Sequence, residues 1–300
     1  MREPVRNIGA SVRARLLNIA RERNQSFQLV LTTYVLERLL YRLSQTRHRD
    51  RFVLKGAMLI TKWFADPLRP TQDLDLLSFG DADPEQMVST FREICAVRFD
   101  DAVVFDIEGV EIDRLRAEQE YGGLRVKTNA IVDGARLRVV IDIGFGDAIE
   151  PGLTDMELPV LLDFPAPHLR TYARETVIAE KFQAMVTLGR ANSRMKDLYD
   201  LWVLSRTYAF EGDNLARAIA ATFARRKTEI PCAPPDGLTP AFAEDPAKVQ
   251  QWNSFVDDVA FQPGALAAVV RDLAAFLMPH AAAARALAEA RGAASNTHGE

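Results

Sequence analysis

Apolar residues recur every three or four positions over 8–24 (Ile8, Val12, Leu16, Leu17, Ile19, Ala20) and over 27–44 (Phe27, Leu29 and Val30 through Leu39, Leu40 and Leu43). That spacing predicts two N-terminal helices. A short apolar run at 52–54 then predicts a strand, Lys55-Gly56-Ala57 a turn, and 58–64 a helix. Residues 73–78, Asp-Leu-Asp-Leu-Leu-Ser, read as a second short strand. Side chains alternate across a strand, so Asp73 and Asp75 share one face and Leu74 and Leu76 the other. A helix is predicted over 84–98, opened by Asp83-Pro84 with proline at its first position. Stretches 102–113, 123–132 and 136–145 alternate apolar and polar residues and are separated by Gly-Gly and Asp-Gly turns. They predict antiparallel strands that extend the sheet. In the last, Asp142 lies on the face opposite Val139, Ile141, Ile143 and Phe145.

Prolines at 151, 159, 165 and 167 mark a crossing to a helical half, with one further short strand expected over 158–164. Helical spacing returns over 173–189, 194–206, 213–227, 244–261 and 263–291. On the first of these helices, at about 100° per residue, Lys181 falls within the apolar arc of Val177, Ile178, Phe182, Met185 and Leu188. Glu180, Gln183 and Thr187 fall on the opposite face, expected to be wet. A lysine on an inward stripe is costly unless its ammonium meets an anion. On the next helix, Lys196 and Asp200 lie one turn apart and could pair, and Asp197 stands beside Leu201 and Leu204.

Composition sharpens this reading. The two cysteines, Cys95 and Cys232, provide neither a disulfide framework nor zinc-ligand spacing. There is no apolar run of about 18 residues, and the N-terminus is too charged for a signal peptide. We therefore expect a reduced, cytoplasmic protein with no membrane partner. The net charge of −4 hides an asymmetry: residues 1–62 carry +9, residues 63–167 carry −13, and residues 168–300 are neutral. A basic lobe ahead of an acidic one suits a polyanionic substrate. Arg42, Arg47, Arg49 and Arg51, immediately before the turn at Gly56, are the candidates for holding RNA.

The candidate chemistry lies in 55–75. Two carboxylates on one strand face repel each other, and a divalent cation offsets that repulsion. Oxygen ligands few in number suit Mg²⁺, or Mn²⁺ in its place, with substrate phosphates completing the shell. Asp142, with Gly144 and Gly146 clearing space beside it, fits as a third acidic residue. Gly56 lets backbone approach a phosphate, and Arg69, four residues before Asp73, can reach one as well.

This combination resembles the minimal nucleotidyltransferase core of the polymerase-β superfamily. The fuller wording, Leu-Lys-Gly-Ala-Met-Leu and Arg-Pro-Thr-Gln-Asp-Leu-Asp-Leu, resembles the AbiEii/AbiGii-type toxins of abortive-infection toxin–antitoxin systems. So does the later Ala-Glu-Lys with Arg-Met-Lys-Asp-Leu-Tyr-Asp-Leu. The resemblance covers roughly residues 30–206. One departure is Gly56-Ala57, where the family usually has Gly-Gly or Gly-Ser; alanine brings no hydroxyl to a phosphate.

The resemblance implies an α/β (α+β) fold with a mixed, largely antiparallel sheet and a helical C-terminal half. The expected divisions are N-terminal basic helices (1–50), a nucleotidyltransferase core (51–167), a helical domain completing the site (168–291) and a disordered tail (292–300). Asp73 and Asp75 are implied as metal-binding catalytic residues, with Lys181 and Asp197 completing the site and Asp200 a competing claimant for the last role. Lys55, Gly56, Ala57, Arg69, Thr71, Lys181 and Lys196 would face the NTP. The implied reaction is transfer of NMP from NTP to an RNA acceptor, the 3′ end of tRNA, by a toxin with a cognate antitoxin. The same core also supports transfer to a protein or small-molecule hydroxyl, and a binding protein with a vestigial site is the non-enzymatic alternative.

Overall fold

In the computed structural model, residues 7–64, 71–115, 122–210, 213–257, 259 and 261–296 are described. The chain divides into two compact units. The first, drawn from residues 7–64, 71–146 and 154–171, is built on a sheet; the second, drawn from 147–153 and the residues after 171, is helical.

In the first unit, α1 (Ile8–Glu22) starts where the Asn7 side chain accepts from the Ala10 amide, and α2 (Phe27–Ser44) where Ser26 accepts from the Leu29 amide. Both caps satisfy an amide that has no partner inside its helix. There follow β1 (Phe52–Lys55), α3 (Gly56–Lys62), β2 (Leu74–Ser78), α4 (Pro84–Ala96), β3 (Val103–Phe105), β4 (Glu111–Arg114), β5 (Leu124–Val132), β6 (Ala135–Phe145), β7 (Leu153–Glu157) and β8 (His168–Tyr172). The eight strands form one sheet in the order β3-β5-β6-β2-β1-β8-β7, with β4 also paired to β5. The β1–β2, β3–β5, β4–β5 and β5–β6 pairs are antiparallel, whereas β2–β6 and β1–β8 are parallel. This is the mixed, largely antiparallel sheet expected of the fold class.

Alternation is strict along β6: Leu137, Val139, Ile141 and Ile143 are buried, while Arg136 and Arg138 are exposed. Helices α2 and α4 pack on the sheet. Two expectations change here. The stretch 102–113 is two strands, because Asp106 accepts from the Gly109 amide at 3.0 Å and turns the chain between them. No strand forms over 158–164; β7 ends just before it and β8 begins just after.

The second unit comprises α5 (Arg174–Leu188), α6 (Met195–Thr207), α7 (Asn214–Arg225), α8 (Pro240–Ala243), α9 (Pro246–Val256) and α10 (Leu266–Asn296). Phe182 of α5 meets Phe223 of α7 with ring centroids 5.4 Å apart. The face of α5 expected to be wet is covered at one position: Gln183 is buried, donates to Thr187 and Thr228, and accepts from Arg226, while Thr187 is exposed. Helix α10 runs to Asn296, through part of the expected tail, and residues 297–300 lie outside the described residues. Over residues 266–291 it is long and apolar enough to cross a membrane by length and composition alone. Its Val269, Leu273, Leu277 and Ala281 are buried, and it packs on α6 and α7.

Candidate active site

The corner where β1 passes into α3 is tightly specified. Gly56 has φ +69°, a left-handed conformation that costs a side-chain-bearing residue about 1–2 kcal/mol. A Cβ at that position would lie 2.0 Å from Asp75 Oδ2 and 2.7 Å from Asp75 Cβ. Glycine is therefore required both by the turn and by the close approach of the Asp75 carboxylate. Lys55, the residue before it, is the register partner of Asp75 across β1–β2.

On its other side Asp75 is the register partner of Asp142 across the parallel β2–β6 pair. Cross-strand partners point to the same face, so the two carboxylates adjoin one another. Asp73 lies just before β2 and is exposed; Asp75 is half-buried. Asp142 is held by an arginine that the sequence reading missed. Arg125 Nε donates to Asp142 Oδ1 and its terminal nitrogen to Oδ2, both at 2.7 Å, a bidentate pair. Hydrogen bonding to Asp142 is the largest influence raising the Arg125 pKa, and the fields of Asp142, Asp73 and Asp113 add to it.

A signal for Arg125 was available. The Asp133-Gly134 turn fixes the β5–β6 hairpin register, and counting back from Val132 as far as Asp142 lies beyond Ala135 arrives at Arg125. Asp142 therefore enters the site as the partner of Arg125, each of its oxygens accepting one guanidinium N–H. Among the described residues no three His, Cys, Asp or Glu side chains converge on one point. Asp73, just before β2, and Asp75, within it, are two hard oxygen donors. That small set fits Mg²⁺, which keeps most of its shell as water and substrate phosphate.

In the helical unit Lys181 does reach an anion. Its ammonium is 2.5 Å from Asp197 Oδ1 and 2.9 Å from Asp200 Oδ2. The Asp200 side chain is fully buried, whereas those of Lys181 and Asp197 keep 13% and 11% of their surface. Asp200 accordingly pairs with Lys181 and not with Lys196, which is exposed. Of the two aspartates, Asp197 is the one that keeps some exposed surface. Glu180, the residue before the lysine, is also fixed. Arg226 bridges Glu180 at 3.0 Å, Asp147 at 3.4 Å and Gln183 at 2.9 Å. The Tyr172 hydroxyl donates to Asp147 at 3.2 Å. Burial, reinforced by Glu180 and Asp147, holds the Tyr172 pKa well above the ordinary phenol value, so it stays a neutral donor. Together these contacts lock the rotation of α5 and with it the direction of Lys181.

The arginines expected to hold RNA fare unequally. Arg42 is withdrawn from that role: it is 1% exposed and donates to both oxygens of the fully buried Asp101, which Arg38 also contacts at 2.7 Å. Arg47 pairs with Glu93, Arg49 with Asp155 and His168, and Arg51 donates to Ser78. Thr71 donates to the Asp73 carbonyl oxygen at 3.4 Å. Arg69 lies outside the described residues.

Comparison with known proteins adds a family. The profile described as nucleotidyl transferase AbiEii toxin of type IV toxin–antitoxin systems matches residues 38–281. No curated protein matches the chain. Among solved structures, the crystal structure of JHP933 from Helicobacter pylori aligns with a TM-score of 0.49 and 16% identity, covering 92% of this chain and 99% of that one. A candidate nucleotidyltransferase from H. pylori aligns with a TM-score of 0.49 and 16% identity, covering 88% and 97%.

Proposed function

Because the chain belongs to the AbiEii toxin family of nucleotidyl transferases, we propose that it transfers NMP from an NTP onto an RNA acceptor, the 3′ end of tRNA, in a Mg²⁺-dependent reaction in the cytoplasm. It would act as the toxin of a pair whose antitoxin restrains it. The observation that carries this reading is the corner at Asp75: Gly56 pressed against its carboxylate on one side and Asp142 beside it on the other. Acidic residues crowded at one corner suit a nucleotidyl-transfer site that takes a divalent cation.

Asp73 and Asp75 would hold the divalent cation, which when bound lowers the pKa of the acceptor hydroxyl and offsets charge on the phosphoryl oxygens. The chain's own residues do the rest. The Lys55-Gly56-Ala57 turn offers backbone amides to a phosphate, and with no hydroxyl at Ala57 the contact comes from backbone alone. Lys181 supplies positive charge for the triphosphate and the departing pyrophosphate, with Arg69, Thr71 and Lys196 as further nucleotide contacts. Asp197 holds the Lys181 ammonium in place. Arg125 holds the Asp142 carboxylate oriented next to Asp75. Capping the 3′ end of tRNA would block its aminoacylation and arrest growth.

The test is incubation with Mg²⁺, total tRNA and each NTP labelled with ³²P at the α-phosphate, beside Asp75→Ala. Label on tRNA that disappears in the variant is the expected result, and it names the base. Label on protein moves the acceptor to a protein hydroxyl. Absence of label on either, with folded protein, contradicts the reading.

A further inference from the structure

The face of the sheet that carries Asp75 and Asp142 does not stop at them. Alternation along β6 brings Val140, Arg138 and Arg136 to the same side as Asp142. Antiparallel register sets Lys127, Asn129 and Ile131 of β5 beside them, and Val104 of β3 beside Ile131. At about 3.3 Å per residue, Arg138 lies roughly 13 Å and Arg136 roughly 20 Å along the strand from Asp142.

Two features of this face call for a partner. Arg136 and Arg138 are exposed, and among the described residues neither side chain has an ion pair or a hydrogen bond. Arg125 and Lys127, nearer the carboxylates, are already paired with Asp142 and Asp113. Next to the two arginines lie Ile131 and Val104, 46% and 65% exposed and directly opposite one another across β3–β5. An exposed antiparallel face ordinarily carries polar residues. A row that combines exposed apolar side chains with unpaired guanidinium groups offers positive charge to phosphates and apolar contact to base faces.

We propose that the single-stranded end of the RNA acceptor lies along β5 and β6, with backbone phosphates on Arg138 and Arg136 and bases against Ile131 and Val104. This rests on the RNA-acceptor reading given above and moves the RNA contacts away from Arg47 and Arg49, which are already neutralised by Glu93 and Asp155. Such contacts hold any sequence, since they read phosphate and not base edges.

Binding of tRNA to the full-length protein, without NTP, measured over a range of salt concentrations, tests the proposal. Each phosphate contact on a single strand contributes about 0.7 to the slope of log affinity against log salt, so Arg136→Gln/Arg138→Gln flattens it by about 1.4. Arg136→Lys/Arg138→Lys restores the slope. Val104→Ser/Ile131→Ser weakens binding at every salt concentration and leaves the slope intact. Arg47→Gln/Arg49→Gln changes neither. An unchanged slope in the first variant, with its folding confirmed by circular dichroism, overturns the proposal. So does loss of antitoxin neutralisation with unchanged RNA binding, which assigns the face to a protein partner. The slope is read without turnover. If wild-type protein labels no RNA, the acceptor reading fails, and the slope still decides where RNA binds.

Discussion

Replacing Gly56 with alanine probes the site through a single methyl group. The added Cβ would sit 2.0 Å from Asp75 Oδ2, while ordinary contact begins near 3.4 Å, so the carboxylate must retreat by about 1.4 Å. Rotating the Asp75 side chain does not suffice, because the methyl would also lie 2.7 Å from Asp75 Cβ, on a backbone paired to Lys55 on one side and Asp142 on the other. The left-handed φ of +69° adds about 1–2 kcal/mol, and overpacking about 1–3 kcal/mol. We expect Gly56→Ala to be folded but destabilised by about 2–5 kcal/mol in urea denaturation. A misplacement of about 1 Å in a reacting constellation costs about 100-fold, so transfer of α-labelled nucleotide should fall at least that far. A variant that keeps transfer within a few-fold of wild type, while folded, would refute the assignment of Asp75 to the reacting corner.

Asp200→Ala should cost about 3–5 kcal/mol of stability, because it removes a fully buried carboxylate from a paired lysine. Asp197→Ala should cost only about 1–2 kcal/mol, since Asp200 still pairs with Lys181, yet depress transfer as far as Lys181→Ala does; equal stability losses would contradict this division. Arg42→Ala should lose about 3–5 kcal/mol in thermal or urea unfolding, leaving Asp101 buried with one guanidinium partner fewer. The RNA affinity of the fraction that stays folded should not change. Burial pushes the Cys95 thiol up to about 12, so at pH 8 a thiol reagent should modify Cys232 in the native protein and reach Cys95 only in denaturant; two fast-reacting thiols in the folded protein would contradict that burial.

Much of this arrangement was legible in local pattern. The bounds of α2 follow from apolar spacing and the start of α4 from Asp83-Pro84, because caps and periodicity are short-range signals. The same holds for the β1-turn-α3 corner and for the inward direction of Lys181. What escaped was set by partners distant in sequence. The arginine-rich stretch before the turn reads as a basic surface, yet Arg38 and Arg42 turn inward because Asp101, about sixty residues later, is buried between them. Helical periodicity assigned Gln183 to solvent, and α7 covers it. The break between β3 and β4 was missed because alternation continues through Asp106, whose side chain closes the turn. Arg125 was within reach of hairpin counting, since the Asp-Gly turn alone fixes its position opposite Asp142.

The central claim is that nucleotidyl transfer runs from the corner formed by Asp73 and Asp75, with Asp142 committed to Arg125. Mn²⁺ in place of Mg²⁺ gives a direct reading by electron paramagnetic resonance, titrated into folded protein with a non-hydrolysable NTP analogue. Wild-type protein and Asp142→Asn should bind Mn²⁺ with comparable affinity, and Asp73→Asn and Asp75→Asn should each weaken it at least tenfold, about 1.4 kcal/mol. Binding by Asp75→Asn equal to wild type would contradict the account.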